Sequence, residues 1–412
     1  RALAVAPTDL PSLLLVTAAA SEAAYRGELP ELLRARLVAA GWQIASYETP
    51  GHRGTVGRFF HMVRTDVDGA ETHLIAFPGT ERGSDVWTDL RIGRAVFGGT
   101  TPAEFLSMRE APVTERGETP LVHRGFLDYT QAALFTDALP AYGGRTAGEA
   151  IADELRAYPD AQIYLTGHSL GGAAAVLAAA RLSDLGVSPE QLIVTTFGAP
   201  AVGNAAFARR YEGKFTLRRV VMSGDPMKDI LAKPLGFQQF GERVTWSPAR
   251  SVAKFPHAMT VYVDAAIRRL CDAYGGERAY LFLMGTPDRM AGRTLYALPI
   301  ETKMDEVLTE DAPYMAAVLR DALHVRSAHT VFAAGGGGLH EHLVAARAAG
   351  AQEMIAYRIA GTKIRDAHET YRITLEHAVY DMDGNLIAAG SRSARTGTLT
   401  PIETVLYLFA QD

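Results

Sequence analysis

Apolar runs of strand length alternate with longer helical segments through the first 270 residues of the chain. Between 58–65 and 72–77 the turn Asp68-Gly69 predicts a hairpin. Helices and strands that alternate in this way indicate an α/β fold, with a mostly parallel sheet covered on both faces. The predicted strands are 42–47, 58–65, 72–77, 163–166, 192–197, 217–222 and 243–246, and the predicted helices are 10–25, 146–158, 173–182 and one that ends near residue 270.

The pattern changes after Cys271. Two connector sequences, 274–277 and 285–288, contain glycine or proline, and we place a boundary there that divides the chain into domains 1–284 and 285–412. The second domain reads as a smaller α/β domain with the order β-α-β-α-β-β-β-α. Its turn at Asp383-Gly384 predicts a hairpin, and the 400–403 sequence has the N-cap, proline and glutamate of a helix start. The predicted strands are 294–300, 330–333, 354–359, 371–380 and 386–393, and the predicted helices are 312–323, 339–349 and a terminal one.

Composition agrees with a soluble two-domain protein. The chain has 412 residues, of which 48% are hydrophobic and 21% are charged. A net charge of -5 argues against nucleic-acid binding and against binding to anionic membranes by bulk charge. No apolar run reaches the about 18 residues that a membrane-spanning helix needs. The single Cys271 excludes an intrachain disulfide, which suits a cytoplasmic protein and equally a bacterial exported one. The chain begins at Arg1 instead of Met, which suggests that a leader peptide has been removed.

The candidate nucleophile is Ser169, in the sequence Gly167-His168-Ser169-Leu170-Gly171 between a predicted strand and a small-residue helix. This is the sequence of a nucleophile elbow, a sharp turn that exposes a serine at the rim of a parallel sheet. The helix N-terminus favours the negative charge that develops when a serine attacks a carbonyl. His168 cannot fold back to accept the proton of its neighbour, so we expect it to be structural.

The order of residues along the chain selects the base and the acid. In α/β-hydrolases the acid and then the histidine follow the serine, and His257 is the only later histidine within the first domain. Asp225 directly follows the strand 217–222, at the edge of the sheet where Ser169 also lies. Asp184 and Asp229 remain as alternatives for the acid.

The oxyanion of an acyl-transfer intermediate needs hydrogen-bond donors. One donor is expected to be the backbone N–H of Leu170, directly after the nucleophile. The other is expected from an earlier strand end, where the strand 72–77 breaks at Pro78-Gly79 and Thr80 follows. Thr80 offers both its backbone N–H and its hydroxyl.

Several segments match one family in order, namely residues 77–80 with 84–90, 122–126, 167–172, 196–204 and 223–226. Through them, residues 10–270 resemble the class 3 lipases, the fungal-lipase-like branch of the α/β-hydrolases. Pro78 stands where this family usually has Arg, and Met227 replaces a common Val.

The resemblance implies Ser169, Asp225 and His257 as a catalytic triad, Thr80 and Leu170 as oxyanion residues, and an ester of a lipid as the substrate. It also implies a mobile lid over the acyl site, with contact to a lipid surface when it opens. No metal and no cofactor are implied. Triacylglycerol lipase or esterase is the favoured activity, with phospholipase A1 as the alternative. The lid and acyl-binding residues would be Val86, Trp87, Leu90 and Phe97. The alternative for this apolar segment is a helix packed permanently on the core.

The second domain carries no convincing catalytic set. The glycines 335–338 before a helix are read as a flexible loop, and His340-Glu341-His342 lacks the spacing of metal ligands. The order of its elements resembles the α/β domain of bacterial envelope lipoproteins. This resemblance implies secretion or a place in the bacterial cell envelope and a module that binds an envelope protein. A non-catalytic envelope binding protein on a hydrolase scaffold is the rival hypothesis for the whole chain.

Overall fold

The computed structural model describes residues 9–51, 55–65, 69–79, 93–114, 117–252, 256–275, 293–327, 329–365 and 370–411. Contacts divide the chain into two compact units. The first unit contains Arg1–Pro30, Trp42–Ser247 and Pro256–Tyr262. The second unit contains Glu31–Gly41, Pro248–Phe255 and Val263–Asp412.

This division differs from a single boundary at residue 285, which itself lies outside the described residues. The helix Met259–Tyr274 was predicted to belong wholly to the first domain, but the division falls after Tyr262. Two ion pairs lie within the second unit as so divided: Arg36 faces Asp321 at 3.8 Å, and Arg268 pairs with Asp311. A hydrophobic pattern along the chain carries no information on such distant pairs.

The first unit is built on a seven-stranded sheet, as far as the described residues show. The strands up to Trp246 are β1 (Trp42–Thr49), β2 (Gly57–Thr65), β3 (Glu71–Phe77), β4 (Arg94–Val96), β5 (Leu121–His123), β6 (Ala138–Leu139), β7 (Arg145–Thr146), β8 (Ile163–His168), β9 (Leu192–Phe197), β10 (Thr216–Met222) and β11 (Glu242–Trp246). The order in the sheet is β1-β2-β3-β8-β9-β10-β11. The pairs β1–β2 and β2–β3 are antiparallel, and every later pair is parallel. The predicted α/β fold with a mostly parallel sheet is confirmed.

Helices flank this sheet, and several were not predicted because they are short or lie in segments without a clear helical period. The helix after the elbow is buried from Leu170 to Leu182, and its run of alanines lets its axis come close to the sheet. The helices up to Tyr274 are α1 (Leu10–Ala23), α2 (Glu28–Ala39), α3 (Pro102–Glu110), α4 (Arg124–Gln131), α5 (Ala147–Ala157), α6 (Leu170–Asp184), α7 (Ala205–Tyr211), α8 (Ala232–Leu235) and α9 (Met259–Tyr274).

The second unit has its own mixed sheet, with the order β14-β12-β15-β16-β17 and with β13 paired to β15. The hairpin at Asp383-Gly384 and the capping box of Thr400 with Glu403 are confirmed. The strand β13 was not predicted because three of its four residues are polar and exposed. The elements are β12 (Leu295–Ala297), β13 (Glu301–Met304), β14 (Thr330–Phe332), β15 (Glu353–Lys363), β16 (Tyr371–Tyr380), β17 (Leu386–Arg395), α10 (Ala312–Arg326), α11 (Leu339–Ala348) and α12 (Pro401–Ala410).

Two features of the described residues bear on membranes and metals. None of the helices there combines the length and the apolar character that crossing a bilayer requires. In the same part of the chain, no group of three or more His, Cys, Asp or Glu side chains is arranged to hold a metal ion.

Candidate active site

Ser169 occupies a strained turn between β8 and α6. Its φ of 56° is the only positive φ of a non-glycine residue among the described residues, and such a conformation costs on the order of 1–3 kcal/mol. Glycines on both sides make the turn possible. A Cβ on Gly167 would overlap the backbone of Gly171, and a Cβ on Gly171 would overlap the carbonyl of Phe77. The sequence therefore forces the serine out at the carboxyl edge of the sheet.

Ser169, His257 and Asp225 form one hydrogen-bonded chain. The Nε2 atom of His257 lies 3.2 Å from Ser169 Oγ, and its Nδ1 atom lies 2.9 Å from Asp225 Oδ2. Ser169 and Asp225 are buried at 5% and 2% exposure. With Nδ1–H donating to the carboxylate, Nε2 is free to accept the serine proton, which is the arrangement of a nucleophile with its base.

The other two candidates for the acid are placed elsewhere. Asp184 accepts a hydrogen bond of 2.8 Å from the Tyr211 hydroxyl and lies beside Arg210 and Arg181. Asp229 is exposed at the end of a 3₁₀ turn. Only Asp225, of these three, contacts His257 among the described hydrogen bonds.

The Asp225 carboxylate has two further donors. The Tyr262 hydroxyl donates to Oδ2 at 2.6 Å, and the backbone N–H of Met227 donates to Oδ1 at 2.9 Å. Tyr262 in turn accepts from the backbone N–H of Met222 at 3.0 Å. Burial by itself raises the pKa of Asp225, but the hydrogen bonds from His257, Tyr262 and Met227 lower it below its usual value. Asp225 is therefore held as a carboxylate that can orient an imidazole.

Gly198 is required by the same cluster. Its φ is +54°, and a Cβ there would lie 2.6 Å from Asp225 Oδ2, 2.9 Å from the Tyr262 hydroxyl and 3.2 Å from His257 Nδ1. The sequence predicts a role for neither Gly198 nor Tyr262. For Tyr262, the available signal was its place in the first turn of the helix after His257.

The predicted oxyanion and lid residues fall mostly outside the described part of the chain. The residues outside the described part are Thr80, Val86, Trp87 and Leu90. Leu170 is described and begins α6, so its N–H is among those at the helix N-terminus that no intrahelical carbonyl can accept. Its role as an oxyanion donor stays a prediction.

Phe97 does not lie where a lid residue is expected. It is fully buried, packs edge-on against Phe207 and Tyr211, and lies 3.9 Å below the guanidinium of Arg181. This interior place corrects the assignment of Phe97 to the lid. The apolar segment around it was read as a surface lid because its packing partners come from α6 and α7, far away in sequence.

Known proteins resemble the part of the chain that carries the elbow. Residues 74–233 match the family described as Lipase (class 3). This segment is similar to the class 3 lipase family. It includes the elbow and Asp225, while His257 lies beyond its end.

Two curated relatives and one solved structure illustrate the likeness. A lipase of Rhizomucor miehei is 35% identical over 127 residues, which are 29% of this chain and 31% of the relative. A protein of Oryza sativa subsp. japonica named phospholipase A1-II 4 is 31% identical over 149 residues, which are 33% of this chain and 36% of the relative. The chain thus spans well under half the length of these relatives. The crystal structure of a lipase from Rhizopus microsporus var. chinensis is 24% identical with a TM-score of 0.42, covering 59% of this chain and 76% of that one.

Proposed function

We propose that the chain is a serine hydrolase that cleaves carboxylic esters of lipids through an acyl-enzyme. The observation that carries the proposal is the hydrogen-bonded chain from Ser169 through His257 to Asp225 at a strained strand-to-helix turn. A capping or packing serine requires neither a positive φ nor a histidine held by a buried carboxylate.

In the proposed reaction, Ser169 Oγ attacks the ester carbonyl while His257 Nε2 takes the hydroxyl proton. The oxyanion accepts hydrogen bonds from the Leu170 N–H and from Thr80, near the positive end of α6. The intermediate collapses, the alkoxide leaves with the proton of His257, and the acyl group stays on Ser169. Water then attacks the acyl-enzyme, with His257 as base, and releases the carboxylic acid. Asp225 holds the imidazole throughout.

The substrate class is proposed from the family. Triacylglycerol lipase or esterase is favoured, because the Rhizomucor miehei relative is named a lipase. Phospholipase A1 is the second candidate, because the rice relative bears that name. Both activities use the same triad and the same chemistry, so they differ only in the acyl chain and the head group of the substrate. Contact of Val86, Trp87 and Leu90 with a lipid surface belongs to this proposal.

Labelling with a fluorophosphonate tests the nucleophile directly. The native chain should react with one equivalent of the probe, and Ser169→Ala should not react. Ser12→Ala is a matched control, because Ser12 is also buried but lies in the first turn of α1. If the folded native chain does not react with the probe, the result would support the rival hypothesis, a non-catalytic binding protein on a hydrolase scaffold. Rates on triglyceride, phospholipid and p-nitrophenyl esters of different chain lengths then assign the substrate.

For the second unit we propose a binding or assembly module, and for the chain a place outside the cytoplasm, either secreted or in the cell envelope. The support is the element order of this unit and a cleft of about 520 Å³ within it, bordered by Gly336, Gly337, His342 and Arg358. Cell fractionation with an antibody against the second unit tests the location. Crosslinking in intact cells tests an envelope partner, and recovery of the chain in the cytoplasm without crosslinks would argue against this role.

A further inference from the structure

His168 bonds on both sides of its ring, although it cannot serve as the base. Its Nε2 atom lies 2.7 Å from the backbone carbonyl oxygen of His257, and its Nδ1 atom lies 2.7 Å from the hydroxyl of Tyr25. The rings of His168 and His257 lie 4.6 Å apart. The residue next to the nucleophile thus contacts the main chain of the proposed base.

The partners determine which nitrogen of His168 carries the proton. A carbonyl oxygen can only accept, so Nε2 must be the donor toward His257. In a neutral imidazole Nδ1 is then an acceptor, and the Tyr25 hydroxyl must donate to it. Burial and the neighbouring His257 lower the pKa of His168 to about 3, so the ring stays neutral at the pH where esterases work. The direction of both hydrogen bonds is therefore fixed.

Tyr25 lies two residues beyond the end of α1 and is half-buried. Thr17 and Ser21 are buried four residues apart on one side of this helix. The Ser21 hydroxyl lies 2.9 Å from the Thr166 hydroxyl, and the Thr166 hydroxyl donates to the carbonyl of Thr195 at 2.8 Å. Thr166 and His168 are two residues apart on β8 and therefore face α1 together. The hydrogen bond between Ser21 and Thr166 therefore joins α1 to the strand that carries His168.

Tyr25 also contacts the loop before Thr80. A Cβ added to Gly79 would overlap the Tyr25 hydroxyl and would lie 2.7 Å from the carbonyl oxygen of His168. Gly79 therefore packs directly on this pair, and Thr80 is the next residue. The Tyr25 and His168 side chains thus lie between the loop of the proposed base and the loop of the proposed oxyanion donor.

We infer that Tyr25 and His168 act together as positioning residues, which hold the main chain of His257 and pack against Gly79 so that base and oxyanion loop keep their spacing around Ser169. Asp225 fixes the imidazole of His257 at Nδ1, while His168 fixes the backbone of the same residue. The inference rests on the proposed function, because the spacing matters only if Ser169 and His257 react. Misplacement of a reacting group by about 1 Å can cost roughly a hundredfold in rate.

The test uses graded substitutions in the full chain. Tyr25→Phe removes one hydroxyl and keeps the ring, His168→Leu removes both ring hydrogen bonds, and His168→Gln keeps an amide N–H near the position of Nε2. On a short soluble ester, Tyr25→Phe should lower kcat several-fold and His168→Leu about a hundredfold, with KM little changed. His168→Gln should recover much of the kcat that His168→Leu loses. Ser21→Ala is the matched control, because it removes the hydrogen bond to the Thr166 hydroxyl and leaves both hydrogen bonds of His168 in place. It should lower only the melting temperature.

Rescue by glutamine distinguishes positioning from mere support of the fold, because a purely structural role would make kcat follow the folded fraction in every variant. Native-like kcat in folded Tyr25→Phe and His168→Leu would overturn the inference.

A second readout does not depend on turnover. The low-field proton NMR signal of the His257 Nδ1–H bond to Asp225 should shift or broaden in His168→Leu and stay unchanged in Ser21→Ala. If the native chain neither labels nor hydrolyses esters, yet this signal responds, the proposed function fails while the positioning contact stands. An unshifted signal in His168→Leu would count against the contact itself.

Discussion

The Tyr262 hydroxyl lies 2.6 Å from Oδ2 of Asp225, the same carboxylate oxygen that His257 Nδ1 contacts at 2.9 Å. One buried oxygen therefore accepts two hydrogen bonds, and the other accepts the N–H of Met227. A carboxylate so supplied keeps its charge in a site from which water is largely excluded, because hydrogen bonds to the ionised form favour it. The acid of the proposed triad is thus stabilised by the helix that follows the base.

Tyr262→Phe should reduce kcat/KM on a soluble ester by roughly ten- to 150-fold, since one hydrogen bond to a charged group contributes about 1.5–3 kcal/mol. It should also raise the pKa of Asp225 toward its usual value. A lowered carboxyl pKa contributes stability that is present above the unfolded pKa of about 4 and is lost as the pH falls through the folded value. Acid unfolding of Tyr262→Phe should therefore begin at a higher pH than that of the native chain, as circular dichroism would measure.

Tyr211→Phe is the matched control for this change, because it removes a tyrosine–aspartate hydrogen bond of 2.8 Å to Asp184. It should lower stability while leaving kcat/KM as it is. Equal loss of activity in both variants would show that Tyr262 acts through general stability and not through Asp225.

Ser169→Ala and His257→Ala should each remove ester hydrolysis by about ten thousandfold or more, and the double variant should be little worse, because the residues act as a unit. Asp225→Ala should cost somewhat less. Asp184→Ala is expected to retain activity, since its carboxylate serves Tyr211 and neighbouring arginines. Steady-state kinetics on a p-nitrophenyl ester measure all five. An active Asp225→Ala beside an inactive, folded Asp184→Ala would reassign the acid.

Local patterns in the sequence predict the triad residues of this site. The residues that the sequence does not predict are held by contacts between segments far apart in the chain. Gly167, Ser169 and Gly171 lie within five residues, so the strand, turn and helix that surround them can be recognised together. Tyr262 on α9 contacts Asp225, and Tyr25, just after α1, contacts His168. No spacing along the chain records such contacts. The same reason explains Phe97, whose aromatic neighbours come from α7. It also explains β13, whose polar residues form a strand through pairing with β15.

Gly198→Ala should nearly abolish activity, because its Cβ would press on the contact between Asp225 and His257. The variant also pays the cost of a positive φ, on the order of 1 kcal/mol. Gly213→Ala separates the two effects, since its φ is +74° and nothing lies within 4 Å of its Cβ position. Both variants should lose similar backbone stability in thermal unfolding, while only Gly198→Ala loses kcat. Full activity in Gly198→Ala would mean that the cluster around Asp225 can relax by several tenths of an ångström without consequence.

A fragment ending at residue 284 contains every proposed catalytic group, and the sequence alone predicts that it hydrolyses a small ester if it folds. The contacts of the second unit predict that it folds poorly. It lacks two buried carboxylates: Asp321, which faces Arg36, and Asp311, which pairs with Arg268 beside Asp264. Removing one partner of a buried pair typically costs about 3–5 kcal/mol. We expect a lower melting temperature and labelling by a fluorophosphonate only in the residual folded fraction. A fragment as stable as the full chain would show that these pairs contribute little.

Trp87 and Phe97 make opposite predictions about substrate preference, although the sequence assigned both to the lid. Phe97 is fully buried under Arg181, so Phe97→Ala should cost about 3–5 kcal/mol of stability and lower activity on every ester alike. Trp87 is proposed to cover the acyl site and to move toward an apolar phase, where a tryptophan carries about 150–250 Å² of surface. Trp87→Ser should therefore impair long-chain, aggregated substrates far more than a short soluble ester, and a small organophosphate should still label Ser169. The ratio of the two rates, measured with each variant below its melting temperature, decides the matter. A ratio unchanged by Trp87→Ser would mean that Trp87 is a core residue, as Phe97 is.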